Sequence, residues 1–174
     1  MQLVVAESFQ AVKELYLDVI EKTEGMEQHA RWVYGQHPTD SMLKAYIDNK
    51  EMYVYMDGDE IAGVIAITMY QGEDYQSIAW ESPLQNEEVA VLHIFAIRPA
   101  YQGKGVGRKL IEAAIILAKE QKKKAVRLDA LESNTPAHQL YEGLGFTYRG
   151  RKHLYAENTG WTDFVFYELS LVET

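Results

Sequence analysis

Phe95-Ala96-Ile97-Arg98-Pro99, followed after Ala100-Tyr101 by Gln102-Gly103-Lys104-Gly105-Val106-Gly107-Arg108, is the stretch on which the fold turns. The mostly apolar run 89–97 that leads into it has the length and composition of a strand. Beyond it, Val106, Leu110, Ala113, Ala114 and Leu117 recur at helical spacing, which predicts a helix over 105–122. Residues 125–131 then predict a second strand. Because a whole helix separates the two strands, they are expected to lie parallel in one sheet, joined by a right-handed crossover.

The turn between the first strand and the helix carries the chemistry. Several backbone N–H groups at a helix start can converge on one anion, and glycines let a phosphate approach closely. Lys104 and Arg108 add positive charge beside the turn, so a pyrophosphate is its natural guest. A P-loop would place Lys and then Ser or Thr after its last glycine, but Gly107 is followed by Arg108 and Lys109, which supply no hydroxyl for magnesium. A dinucleotide fingerprint G-x-G-x-x-G fails in both registers, ending on Arg108 from Gly103 and on Leu110 from Gly105. Asp129, near the end of the following strand where a ribose-binding acid would sit, keeps a dinucleotide oxidoreductase as an alternative.

Gln102-Gly103-Lys104-Gly105-Val106-Gly107 resembles the coenzyme A motif of the GCN5-related N-acetyltransferases, Gln/Arg-x-x-Gly-x-Gly/Ala, at every fixed position. Phe95 to Pro99 before it, and Asn134, Leu140-Tyr141 and Leu144-Gly145-Phe146 after it, follow that family's order, so the resemblance covers about residues 89–146. It implies a mixed, largely antiparallel α/β sheet of six to seven strands with a splayed parallel pair, flanked by helices. Acetyl-CoA is the implied co-substrate. Its pantetheine would insert like a missing strand on the backbone of Phe95, Ala96 and Ile97, with Asn134 holding it from the other side. Gln102, Gly103, Lys104, Gly105, Val106, Gly107 and Arg108 would hold the pyrophosphate.

The resemblance makes Tyr141 the general acid near the coenzyme A sulfur, although Ala137, Leu140, Tyr141 and Leu144 also form an apolar helix face on which a tyrosine simply packs. Some members carry a glutamate base on the strand before the glycine turn; the aligned position here is Val91, which takes no proton. His93 lies two residues on, and alternation puts Val91, His93 and Phe95 on one strand face. As the base, His93 predicts an acidic limb at about pH 6 to 7. Glu88 and Glu81 are further candidates acting through water. Without a base, the chain would be a coenzyme A sensor.

The remaining sequence narrows the acceptor and the compartment. A formal net charge of −9 disfavours a nucleic-acid binder, which needs a basic face, and suits a cationic amine acceptor. No cysteine is present, so thiolate zinc sites, disulfides and a cysteine nucleophile are excluded and a cytoplasmic address is expected. The five histidines are scattered, and no metal is expected. No apolar run reaches the ~18 residues of a membrane span. One domain over 1–174 is expected, in which a homodimer is compatible.

Outside the motif the sequence predicts a strand over 2–6, a helix capped by Ser8 and ended by Gly25, and a helix capped by Thr39. Between those helices, the segment with His29, Trp32, Tyr34 and His37 is a candidate lid. Strands 52–56 and 61–70 meet at Asp57-Gly58 as a hairpin. Residues 71–88 read as disorder or a flap. A short helix capped by Thr135 precedes strands over 146–155 and 163–171.

Overall fold

Asp57-Gly58 turns the chain between β2 (Met52–Asp57) and β3 (Glu60–Thr68), with Gly58 at φ +60°. Around this hairpin the structure, a computed structural model that describes residues 1–172, forms one seven-stranded sheet. The other strands are β1 (Gln2–Val5), β4 (Val89–Ile97), β5 (Ala125–Leu131), β6 (Thr147–Ala156) and β7 (Gly160–Ser170). Their order is β1-β2-β3-β4-β5-β7-β6, and β4 with β5 is the parallel pair. This mixed order is not the doubly wound parallel sheet that the oxidoreductase alternative requires.

Four helices cover the sheet: α1 (Phe9–Lys22), α2 (Asp40–Asp48), α3 (Val106–Glu120) and α4 (Thr135–Gly143). Ser8 Oγ and Thr39 Oγ1 accept the N–H groups of Ala11 and Met42, capping α1 and α2 as their sequences predict. α3 buries Leu110, Ile111 and Ala114 against Ile65, Ala90 and Val126 on one face. On the other, α1 buries Val12, Leu15 and Val19 against Val54, Val64 and Ala66. Several element ends differ from expectation by a few residues, α1 stopping at Lys22 and β3 at Thr68, and two of the differences have a local cause. Asn134, not Thr135, caps α4, its side chain accepting the Ala137 N–H, so Thr135 is the first helical residue. β7 starts at Gly160 because that glycine, at φ +70°, turns the chain before Trp161.

The segment 71–88 is a packed cover, built around a buried cation. Arg127 on β5 is fully buried. Its Nε and Nη2 each donate to Glu168 Oε2 at 2.7 Å, and Nη1 reaches Gln71 Oε1 at 2.6 Å. Its Nη2 also donates to the Ser82 carbonyl, and the Trp80 ring lies 4.2 Å from its guanidinium carbon. Beneath the segment, Tyr75 and Ile78 pack on Val89, Val91 and Phe166. Among the described residues no helix is long and apolar enough to cross a membrane.

One irregularity in β4 decides where the site residues point. Val64 pairs with Ala96 and Ala66 with His93, so two steps on β3 face three on β4. The extra residue is a β-bulge, with Ile94 at φ +42°. Side chains alternate normally up to His93 and then change sides. His93 packs 5.7 Å from the Tyr46 ring of α2, whereas Phe95 packs with the α3 core. The expectation that Val91, His93 and Phe95 share a face therefore fails at Phe95. The two-residue period does not survive an inserted residue.

Candidate active site

The pairing of β4 with β5 ends at Leu92 opposite Leu128. Beyond this point the strands part, and a cavity of about 530 Å³ opens between them, lined on one side by His93 to Ile97 and on the other by Asp129 to Leu131. The freed edge of β4 offers unpaired backbone groups of the kind an added strand uses. The Ile97 carbonyl is already engaged: Gln102 Nε2 donates to it and to Thr23 Oγ1, both at 2.9 Å. Gln102 therefore braces the opening with its side chain. Ala96 pairs with Val64 on β3, and by antiparallel alternation from the Arg98 N–H to Ala62 carbonyl bond its backbone groups face β3, whereas those of Phe95 face the opening.

Past Gln102 the turn is arranged for an anion. Gly105, at φ +77°, is the N-cap of α3, and the first bond closing the helix runs from Lys109 N–H to the Gly105 carbonyl. Among the described residues, the backbone N–H groups of Gly103, Lys104, Gly105, Val106, Gly107 and Arg108 have no carbonyl partner. Such a set at a helix start fits a pyrophosphate. Gly107 is small for a different reason: a Cβ there would lie 3.2 Å from Phe95 Cζ. The Lys104 ammonium bonds the Ala100 carbonyl at 3.0 Å, and Arg108 bonds Glu112 at 3.1 Å, so the cationic side chains flank the turn without filling it.

Tyr141 lines the cavity from α4, with its ring centroid 5.9 Å from Phe146 and 6.0 Å from Tyr167. Its hydroxyl has no partner among the described residues. Burial, reinforced by Asp129 and Tyr167, holds its pKa above the ordinary tyrosine value, so it keeps its proton. Asn134 also lines the cavity, with its Oδ1 used in capping α4 and its amide nitrogen free to donate.

His93 lines the same cavity from the α1 and α2 side of the sheet. Thr68 Oγ1 donates to the Tyr70 carbonyl at 2.9 Å and lies 2.9 Å from His93 Nε2. Since the hydroxyl proton is spent on Tyr70, Nε2 carries the ring proton and Nδ1 keeps its lone pair. Burial pushes the His93 pKa down to about 4, well below the expected 6 to 7. Glu88 is elsewhere: it precedes β4, at the end opposite the opening, and pairs with Lys124 at 2.8 Å. Glu81, whose N–H is bonded to Glu168, does not line the cavity either. Val91 is buried beneath residues 71–88.

From its sequence position alone Asp129 suggests only a ribose ligand. It stands on β5 just past the parting point and lines the cavity, with Oδ2 accepting the Tyr75 hydroxyl at 2.5 Å. Burial raises its pKa, and the Tyr75 bond opposes that shift. The signal in the sequence was a lone carboxylate in an otherwise apolar strand end; its partner, 54 residues away, gave none. Of the lid aromatics, Trp32, His29 and His37 line the cavity, while Tyr34 bonds Asp40 at 2.5 Å. Trp161 is 68% exposed and Trp80 covers Arg127, so neither reaches the cavity.

Comparisons with known proteins agree with this geometry. The profile of the acetyltransferase (GNAT) family matches residues 9–146. The uncharacterised N-acetyltransferase YesJ of Bacillus subtilis is 22% identical over 160 residues, covering 84% of this chain and 86% of that protein. An uncharacterised N-acetyltransferase of Methanocaldococcus jannaschii is 36% identical over 67 residues, 38% of this chain but only 30% of its own length. Among solved structures, yncA of Salmonella typhimurium, determined with its cofactor acetyl-CoA, superposes with a TM-score of 0.71 at 21% identity, covering 100% of this chain and 95% of that one. The profile match takes in α1, the parting strands, the glycine turn and α4, and by it this chain belongs to the acetyltransferase (GNAT) family.

Proposed function

We propose that the protein transfers an acetyl group from acetyl-CoA directly to a primary amine. The observation that carries this reading is the placement of six unpartnered N–H groups, at residues 103–108, beside the freed edge of β4 and the unpartnered Tyr141 hydroxyl. The N–H groups hold the pyrophosphate with Lys104 and Arg108 at its flanks, while the backbone of Phe95 and the side chain of Asn134 hold pantetheine. The thioester supplies an activated acyl group, so no protein nucleophile is required. That the relatives are named N-acetyltransferases supports a nitrogen acceptor.

The protein's own tasks are to position the amine, take its proton and return one to the departing sulfur. An alkylamine with a pKa near 10.4 is neutral only about once in two thousand molecules at pH 7. His93, uncharged at that pH, offers Nδ1 as acceptor, a task that becomes easier as nitrogen grows acidic during C–N bond formation. Tyr141, held protonated, donates to the thiolate. The two groups enter from opposite faces of the sheet, which separates proton removal from proton delivery. An acidic chain without cysteine suits a reducing cytoplasm.

The test is a screen of primary amines with acetyl-CoA, reading free thiol and acetylated product together. Equal amounts of both support transfer. Acetyl-CoA binding with no product from any amine would favour the coenzyme A sensor instead.

A further inference from the structure

The acceptor side of the cavity carries a charge imbalance. Among the described residues lining the whole cavity there is no lysine or arginine, whereas Glu24 and Asp129 both line it. The cation nearest Asp129 in sequence is Arg127, two residues back on the same strand and so on the same face. It is committed to Glu168, Gln71 and the Ser82 carbonyl, behind the opening. Register explains the choice: Glu168 stands opposite Arg127 on β7, but Phe166 stands opposite Asp129. Asp129 is thereby left with one neutral partner, the Tyr75 hydroxyl on Oδ2. A carboxylate so placed in a partly enclosed, apolar setting gains most from a cation.

The surroundings specify which cation. Trp32, Tyr46, His93 and Phe164 line the same cavity, giving aromatic faces that attract an ammonium group and cover hydrocarbon. The space is roofed. Ser133 Oγ donates to the His29 carbonyl at 3.0 Å, and Asn158 Nδ2 to the Arg31 carbonyl at 2.8 Å. These bonds tie the segment between α1 and α2 to both the β5–α4 connection and the β6–β7 turn, so that segment covers the cavity on this side and favours a small acceptor.

We propose that the acceptor is a small amine with an apolar or aromatic body and no carboxylate next to its nitrogen, and that Asp129, held by Tyr75, binds its ammonium group. An amino acid would bring a second negative charge to a cavity with no lysine or arginine to meet it. The inference rests on the acetyl-transfer reading for its setting, yet the binding it describes is measurable without turnover.

The experiment uses tyramine against tyrosine and isoamylamine against leucine, pairs that differ by one carboxylate. Calorimetry on protein saturated with coenzyme A reads binding, and thiol release from acetyl-CoA reads transfer. The amines are expected to bind and to react with kcat/KM about 100-fold or more above the amino acids, as an unmet buried charge requires. Asp129→Asn, which keeps the shape and the Tyr75 bond, should weaken tyramine binding about tenfold or more. Tyr75→Phe should weaken it less, and both variants should retain acetyl-CoA affinity, which shows that the fold is intact. Tyrosine or leucine matching its amine would overturn the proposal. So would unchanged tyramine binding in Asp129→Asn, or a clear preference for an alanine-starting hexapeptide. Asp129-dependent tyramine binding without any transfer would uphold this proposal and sink the catalytic reading instead.

Discussion

The Tyr16 hydroxyl on α1 donates to the Ile94 carbonyl on β4 at 2.5 Å, at the one β4 residue with positive φ. This bond holds the bulge that sends His93 toward α2 and Phe95 toward α3. Tyr16 is itself fully buried. Tyr16→Phe leaves the carbonyl without its partner, and unfolding free energy should drop by about 1–3 kcal/mol. Because the bulge also shapes the freed edge, acetyl-CoA affinity should fall in the same variant. Denaturant melts with calorimetry check both. A loss of stability with unchanged affinity would separate the bulge from the binding edge.

Arg127→Met should be among the most destabilising single changes on the sheet, by about 3–5 kcal/mol, because it leaves Glu168 buried without its cation. The same change frees residues 71–88 from β5. Hydrogen exchange should therefore rise through that segment, including the backbone around Tyr75, ahead of β3 and β4. Uniform exchange across the chain would contradict the clamp.

The pH dependence follows from His93. Its folded pKa of about 4 lies below the ordinary 6.5, so the ring is neutral from pH 7 down to about pH 5. The acidic limb of kcat/KM assigned to this base should thus lie near pH 4, and His93→Ala should remove it along with much of the rate. The stability sign is the same. Unfolded chains bind the proton first, so this contribution is present above pH 6.5 and is lost as pH falls toward 4. An acidic limb at 6 to 7 that survives His93→Ala would identify another base.

Tyr141→Phe should lower kcat by about 10² to 10⁴-fold while acetyl-CoA affinity changes little, since the ring still packs on Phe146 and Tyr167 and only the proton is lost. Steady-state kinetics with a calorimetric control measures the split. Unchanged turnover would make Tyr141 a packing residue.

The parallel pair and the glycine turn were legible because both are local: a helix-length connection dictates the crossover, and the glycines lie together in sequence. Ile94 was not legible, because nothing in an apolar strand marks an inserted residue whose conformation is secured by Tyr16, 78 positions away. The same reason hides Asp129's setting, which needs Tyr75 and the β7 register, and the packed state of residues 71–88, which needs Arg127. Adjacent cap formers are a smaller failure of the same kind: Asn134 and Thr135 both suit the position, and packing chooses between them. For Gln102, the motif suggested a phosphate ligand, whereas its side chain spans Ile97 and Thr23.

The parting of β4 and β5, together with the N–H groups of residues 103–108, is assigned as the acetyl-CoA site. Calorimetric titration of the wild type and of Gly105→Glu with acetyl-CoA, and of the wild type with NAD, tests it most directly. Gly105 sits at φ +77°, where a glutamate is strained, and its carboxylate would meet the pyrophosphate. Saturable acetyl-CoA binding is expected for the wild type, little for Gly105→Glu, and much weaker binding for NAD. Tighter binding of NAD, or acetyl-CoA binding untouched by Gly105→Glu in a protein that still melts cooperatively, would contradict the assignment.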